Sequence, residues 1–216
     1  MFKKTLLAIA LPTLAFAASA HQVWVVKDAQ GPARVYVGDV DDAHDRGEEV
    51  AKLAATTQVF TTDPKQPAKV SVKDDHLEAA VGATGDVRLV NDAVWKPWKL
   101  KDGRTKVAIF NSRAGRTETR AVLDYEIVPV VANGNAFTVT YKGQPLAGKA
   151  VTVITPDKWS KHFKTDAAGR LEVPVREKGR YVLMSVHDAD AVGDAVFAGE
   201  KVQQLGYTTT LSFIAP

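Results

Sequence analysis

Short runs of Val, Thr, Tyr and Phe, separated by Gly, Asp, Asn and Pro, recur through most of this 216-residue chain. β-branched and aromatic residues favour strands, whereas Gly, Pro, Asn and Asp favour turns. Phe137, Val139 and Tyr141 alternate with threonines, which is the period-2 pattern of a half-buried strand. Closely spaced strands with no intervening helices predict an all-β chain built as a β-sandwich.

The pattern predicts where individual elements lie. A short helix of one or two turns is expected at 48–54, and a loop at 188–199. The expected strands are 22–27, 33–38, 58–62, 69–73, 87–91, 105–110, 137–141, 149–155, 159–165, 170–175, 180–187 and 206–214.

A domain boundary is expected near residues 128–135, where Pro129 and the turn Asn133-Gly134-Asn135 interrupt the pattern. The sequence then divides into an N-terminal β-rich domain, 21–130, and an Ig-like or transthyretin-like sandwich, 131–216. The alternative is one continuous β-rich unit.

Residues 1–20 have the features of a cleavable secretory signal peptide. Lys3 and Lys4 form a basic start, a mostly apolar run follows, and Ala18-Ser19-Ala20 is a small-x-small cleavage signature. The apolar run is too short to span a bilayer as a helix. We expect a periplasmic protein that begins at His21 and has no transmembrane anchor after cleavage.

Composition excludes several function classes. The 28 Lys and Arg nearly balance the 25 Asp and Glu, and no dense basic run occurs, so a nucleic-acid partner is not expected. There is no Cys, which excludes disulfides, thiolate metal sites and a thiol nucleophile. Phosphate-loop, Gly-x-Ser-x-Gly and His-Glu-x-x-His motifs are also missing from the sequence. We therefore expect a protein that is not an enzyme.

His21 is the residue with the most informative position, because cleavage after Ala20 makes it the N-terminus. Its α-amino nitrogen and ring Nδ1 can then close a six-membered chelate ring on a transition metal. Imidazole and amine donors suit copper and nickel, so we expect His21 to bind one of these ions, with a second histidine completing the site. The alternative is that a histidine follows the cleavage site by chance.

His187 is the expected second ligand. It ends an apolar strand on the face shared by Tyr181, Leu183 and Ser185, and Asp188 and nearby Asp190 are available to orient it. The alternative is a strand-end histidine with a purely structural role.

The remaining histidines have less distinctive surroundings. His44 and His76 lie in acidic segments that look like exposed loops, where acidic neighbours raise a histidine's pKa and favour its charged, non-coordinating form. His162 lies beside Lys161. Whether any of these three contributes a ligand stays open.

Several segments resemble one bacterial family. His21-Gln22-Val23-Trp24 resembles the His-x-x-Trp opening of a periplasmic domain-of-unknown-function family associated with nickel or cobalt uptake. Segments 145–149, 165–170, 179–187 and 207–213 resemble its transthyretin- or Ig-like C-terminal domain, whose penultimate strand ends in His. The resemblance implies a periplasmic β protein that handles a transition metal, and it carries over to His21 and His187. Residues 39–56 depart from the family pattern.

These observations lead to one expected function and two alternatives. The expected function is a non-enzymatic nickel or copper carrier, or an accessory component of metal uptake, whose partner is a membrane metal transporter. The first alternative is a non-metal β-sandwich interaction module of the cell envelope. The second is a copper oxidative enzyme, for which the sequence offers no substrate surface.

Overall fold

The computed structural model describes residues 21–82 and 84–216, so the expected leader, residues 1–20, lies outside the described residues. The helix is α1 (Glu48–Leu53). The strands are β1 (Gln22–Lys27), β2 (Ala33–Gly38), β3 (Gln58–Phe60), β4 (Val70–Val72), β5 (Leu77–Ala79), β6 (Val87–Asn91), β7 (Trp98–Lys99), β8 (Thr105–Ala114), β9 (Tyr125–Pro129), β10 (Ala136–Tyr141), β11 (Gln144–Pro145), β12 (Ala150–Ile154), β13 (Ser160–Lys164), β14 (Arg170–Glu172), β15 (Gly179–Asp190), β16 (Val196–Phe197), β17 (Glu200–Lys201) and β18 (Gln204–Ala215).

The expected all-β, sandwich-like fold is confirmed, and most expected strands form within a few residues of their expected ends. Strand β9 is not among the expected strands. A second difference is β15, which continues to Asp190, so the loop expected from residue 188 begins later. It continues because Asp188 and Asp190 stay in antiparallel register with Gly206 and Gln204 of β18. The ladder of the partner strand thus outweighs the turn preference of the two aspartates.

One large sheet forms the centre of the molecule. Its strands follow the order β13-β12-β15-β18-β8-β6-β3, and β7 also pairs with β8. All neighbouring pairs are antiparallel except β18 and β8, which run parallel. Because side chains alternate along a strand, β15 directs Val182 and Met184 to one face of the central sheet and Tyr181 and Leu183 to the other.

A second sheet, β1-β2-β5-β4, packs on the face that carries Val182. We call it the N-terminal sheet. Strand β1 is the edge strand of the N-terminal sheet, and this edge faces the central sheet. The Val25 N–H donates to Ser112 Oγ at 2.9 Å, and the Ser212 hydroxyl donates to the Val25 carbonyl at 2.7 Å. These serines satisfy backbone groups that an edge strand leaves unpaired.

Because β1 stands on its edge, its two sides contact different parts of the central sheet. Val23 and Val25 pack with residues of β6 and β8, such as Leu89 and Phe110. Trp24 and Val26 pack on the other side, against residues of β12 and β15.

A third sheet covers the opposite face of the central sheet. It contains β11-β10-β14, with β9 also paired to β10. Its inward side chains Ile127, Phe137 and Val139 pack against Leu183 and Phe213 to form the larger apolar core.

The sheets do not break at the expected domain boundary. Strands β3, β6 and β8 precede residue 130, yet they share the central sheet with β12, β13, β15 and β18, which follow it. Strand β9, before the boundary, pairs with β10, after it. Strands from both sides of residue 130 therefore share sheets, which favours the alternative of a continuous β-rich unit, and the division into two domains stays a prediction.

Five ionic residues join β6, β8 and β9 in what we call the buried charge network: Asp86, Arg88, Arg113, Glu118 and Glu126. Arg88, Arg113 and Glu126 are fully buried. The Glu126 Oε1 atom accepts from Arg88 Nε at 3.1 Å and from Arg113 Nη1 at 3.0 Å. Buried ions are tolerated where such partners compensate their charge.

Backbone groups complete this network. The other Glu126 oxygen accepts from the N–H groups of Val122 and Leu123, at 2.6 and 2.9 Å. Asp86 accepts from the N–H groups of Thr117 and Glu118. Burial alone would raise the pKa of Asp86, but Arg113 and these hydrogen bonds lower it below its usual value of 3.8.

Candidate functional site

His21 lies directly before β1, where its side chain meets an aspartate from a different segment. Its Nδ1 atom is 3.7 Å from Asp45 Oδ2. The His21 side chain is 53% exposed and that of Asp45 is 25% exposed. The pair is therefore open to solvent on the histidine side.

The position of Asp45 depends on a close backbone approach. After β2, the chain turns back so that His44 forms an isolated antiparallel bridge with Gly38, and the Asp45 N–H donates to the Val37 carbonyl at 2.9 Å. Gly38 has φ 122°, and a Cβ there would lie 3.1 Å from the Ala43 carbonyl oxygen and from the Asp45 nitrogen. Glycine therefore permits the turn that places Asp45 beside β1.

His187 has a different environment. Its ring packs against Tyr141 and Tyr125, with centroid distances of 4.7 and 5.4 Å. Its Nδ1 is buried and makes no hydrogen bond within the part of the chain that the structure describes. Burial, assisted by Lys149, lowers the pKa of His187.

The two carboxylates expected to orient His187 bind other side chains. Asp188 accepts from Lys106 Nζ at 2.6 Å, and Asp190 accepts from Arg104 at 3.2 Å. The aromatic contacts of His187, rather than these carboxylates, hold its ring.

The structure does not bring His21 and His187 together. His187 shares the face of β15 that carries Tyr181 and Leu183, whereas β1 packs on the face that carries Val182. The central sheet thus lies between their side chains. The described residues show no contact between the two histidines, and metal binding by either residue stays a prediction.

His44 corrects the expectation of an exposed acidic loop. Its ring lies 4.7 Å from the Tyr36 centroid and 5.1 Å from the Trp24 centroid. Burial, followed by the positive charge of Lys158, lowers its pKa and outweighs the acidic residues Asp45 and Asp75. The sequence shows the adjacent Asp45 but not the aromatic side chains that desolvate the ring.

The other two histidines have local partners. His76 Nδ1 is 2.6 Å from Asp75 Oδ1, and its ring packs 5.5 Å from the Tyr36 centroid. His162 is exposed on β13, with Nδ1 3.1 Å from Thr152 Oγ1.

A cavity of about 210 Å³ lies between the Trp24 side of the N-terminal sheet and strands β12 and β15. Sequence reasoning missed it. We call its basic residues and their neighbour the cavity cluster: Arg34, Lys158, Arg180 and Asp28. Asp28 bonds both arginines, one through each carboxylate oxygen.

Arg180 of this cluster has a guanidinium whose hydrogen-bond donors are not all paired. Arg180 Nη1 is buried and has no hydrogen-bond partner among the described residues. Burial lowers the pKa of its guanidinium, and Asp28 opposes that effect.

In residues 21–82 and 84–216, no three His, Cys, Asp or Glu side chains are grouped so as to hold a metal ion. The described part of the chain also has no helix of the length and apolarity needed to cross a membrane. No family model and no curated protein sequence matches the chain. The resemblance to the nickel- and cobalt-uptake family therefore stays a prediction.

Proposed function

We propose that the mature protein binds nickel or copper at its N-terminus, through the amine and ring of His21 together with the carboxylate of Asp45. The observation that supports this proposal is the 3.7 Å separation of His21 Nδ1 and Asp45 Oδ2. Asp45 takes the place that sequence reasoning gave to His187.

The distance is suitable for two ligands of one ion. Nitrogen and oxygen ligands lie roughly 2 Å from a transition metal, so two of them on one ion are at most about 4 Å apart. The separation of 3.7 Å falls inside that limit without movement of the backbone. A small side-chain rotation reaches the shorter separation of a square-planar arrangement.

The nitrogen that faces Asp45 is the one that chelation requires. Nδ1, and not Nε2, closes a six-membered ring with the α-amine of the same residue. Cleavage before His21 supplies that amine as a third donor beside the two side chains.

The exposure of the site supports a role in metal transfer rather than permanent storage. Because half of the His21 side chain is exposed, a partner has access to an ion bound there. The proposed protein is a periplasmic carrier or accessory component of metal uptake, and its proposed partner is a membrane metal transporter.

The test is calorimetric titration of Ni²⁺ and Cu²⁺ into protein secreted with its own leader and verified to begin at His21. Asp45→Asn keeps the size of the side chain but removes its charge, and we expect at least a tenfold loss of affinity, about the effect of losing a metal-site partner. A chain with one Gly left before His21 should lose affinity by a comparable factor, because its amine no longer lies on the histidine.

Two control variants separate this site from other carboxylates and histidines. Asp42→Asn changes an exposed aspartate of the same segment and should bind like the unaltered protein. His187→Ala should also bind normally, because its ring lies across the central sheet. Unchanged affinity in Asp45→Asn, or loss of binding in His187→Ala, would contradict the proposed site.

A further inference from the structure

The cavity beside β1 has walls of two kinds. Trp24, Val26, Ile154 and Val182 form a buried apolar wall. Its basic side consists of Arg34, Lys158 and Arg180, which belong to the cavity cluster. A compact apolar surface with a few convergent polar groups is the usual composition of a small-molecule site.

The permanently charged side chains that line the cavity are all cationic. They are Arg34, Lys158 and Arg180, and no carboxylate of the described residues lines it. Asp28, beside the lining, is shared by Arg34 and Arg180 and so compensates at most one of them. Lys158 Nζ uses one donor on the Val40 carbonyl, at 2.8 Å, which leaves further donors on its ammonium group.

One donor at the cavity lacks an acceptor. Arg180 Nη1 is buried and makes no hydrogen bond to any described residue. Arg180 lines the cavity. A buried donor without an acceptor costs free energy, and a bound anion removes that cost.

We propose that this cavity binds a small organic acid, with its carboxylate on Arg180 and Lys158 and its apolar body against Trp24. A guanidinium presents paired N–H donors that match the two oxygens of a carboxylate. The volume of about 210 Å³ is below the roughly 300–1,000 Å³ of sites for drug-sized ligands, so the acid is small. The proposal does not depend on the metal site at His21.

The experiment uses benzoate as the probe and its neutral analogue benzamide as the comparison, in metal-free buffer, with calorimetric detection. Benzoate combines a carboxylate with a compact apolar ring, and benzamide keeps the ring without the charge. We expect benzoate to bind at least about tenfold more tightly than benzamide, the difference expected for one charge-assisted contact.

The first variant is Arg180→Met, which removes the guanidinium and keeps an extended apolar side chain. It should weaken benzoate binding at least about tenfold. Arg176→Met is the matched control, because Arg176 is exposed and does not line the cavity. Lys158→Met, at an exposed position on a turn, keeps the test valid if Arg180→Met fails to fold, and it too should weaken binding.

Three results would overturn the proposal. The first is absence of benzoate binding to the unaltered protein, and the second is benzamide binding as tight as benzoate binding. The third is a benzoate affinity in Lys158→Met and in Arg180→Met equal to that of the unaltered protein. None of these bears on the metal site, because the metal titration uses Asp45→Asn, which leaves the cavity lining unchanged. Failure of either proposal is therefore recognisable separately.

Discussion

The buried charge network and the cavity cluster both contain two arginines held by acidic side chains, yet they differ in how completely the charges are paired. In the network, Arg88 and Arg113 meet three carboxylates, and backbone N–H groups occupy the remaining oxygens. In the cavity cluster, Arg34 and Arg180 share the single carboxylate of Asp28, and one guanidinium nitrogen has no partner among the described residues.

The difference distinguishes a structural role from a binding role. A buried network with every group satisfied has no capacity for a ligand and instead fixes the relative positions of β6, β8 and β9. A cluster with excess positive charge beside a cavity has unused donors, which is the state expected of a site before it binds an anion. Similar residue types therefore indicate different roles, and the pairing decides between them.

The largest expected effect comes from removing the carboxylate at the centre of the network. Glu126→Ala leaves Arg88 and Arg113 buried without their shared partner, and we expect a loss of about 3–5 kcal/mol in the free energy of unfolding. Urea denaturation measures this loss. The control Glu172→Ala changes an exposed residue of β14 and should stay within about 0.5 kcal/mol. A small loss in the free energy of unfolding for Glu126→Ala would contradict the structural role of the buried charge network.

A second effect tests how tightly the network is enclosed. Gly115 has φ 105°, and an added Cβ would overlap the Asp86 carboxylate. Gly115→Ala should lower the free energy of unfolding by about 1–3 kcal/mol or more, because backbone strain and the collision act together. Gly143→Ala is the control for strain alone, since Gly143 has φ 76° and nothing within 4 Å of its Cβ position.

Equal losses in these two variants would contradict the inferred collision. A larger loss in Gly115→Ala, again measured by urea denaturation, would confirm that the space around Asp86 is filled.

The pH dependence of stability gives a third test. The pKa of Asp86 is lower in the folded protein than its usual value of 3.8. The unfolded chain therefore binds this proton more readily, so the stabilisation from Asp86 is present above pH 3.8 and is lost as the pH falls through the lower folded value.

Urea denaturation at a series of acidic pH values measures that loss. Asp86→Asn should be less stable near neutral pH and should show a shallower decline in acid than the unaltered chain. A parallel decline in both proteins would mean that other carboxylates account for the acid sensitivity.

Local patterns in the sequence predict individual strands well and their partners poorly. The alternation around Phe137 predicts β10, and the face of His187 on β15 follows from its spacing with Tyr181 and Leu183. The central sheet is joined by the parallel pairing of β8 with β18, two strands far apart in the sequence. The sequence pattern alone contains no local signal for such a parallel pairing.

The same limit applies to the candidate sites. His21 is identifiable from the cleavage signature, but Asp45 reaches it only because Gly38 permits a close backbone approach. Arg34 and Arg180 lie on separate strands, and Asp28 joins them only after the N-terminal sheet has packed on β15. Sites that depend on packing between distant strands are therefore the part that sequence reasoning missed.

The smallest expected effect is that of Asp28→Asn, and it tests the other half of the comparison. Asp28 is 44% exposed, so solvent screens its two ion pairs, and we expect a loss of only about 0–1 kcal/mol in the free energy of unfolding. Urea denaturation beside Asp194→Asn, which breaks an exposed ion pair with Lys201, gives the scale of such a loss. A loss as large as that of Glu126→Ala would show that the cavity cluster holds the fold together. A small loss in the free energy of unfolding is expected if Arg34 and Arg180 serve to bind an anion, because removing the Asp28 charge leaves their N–H donors available.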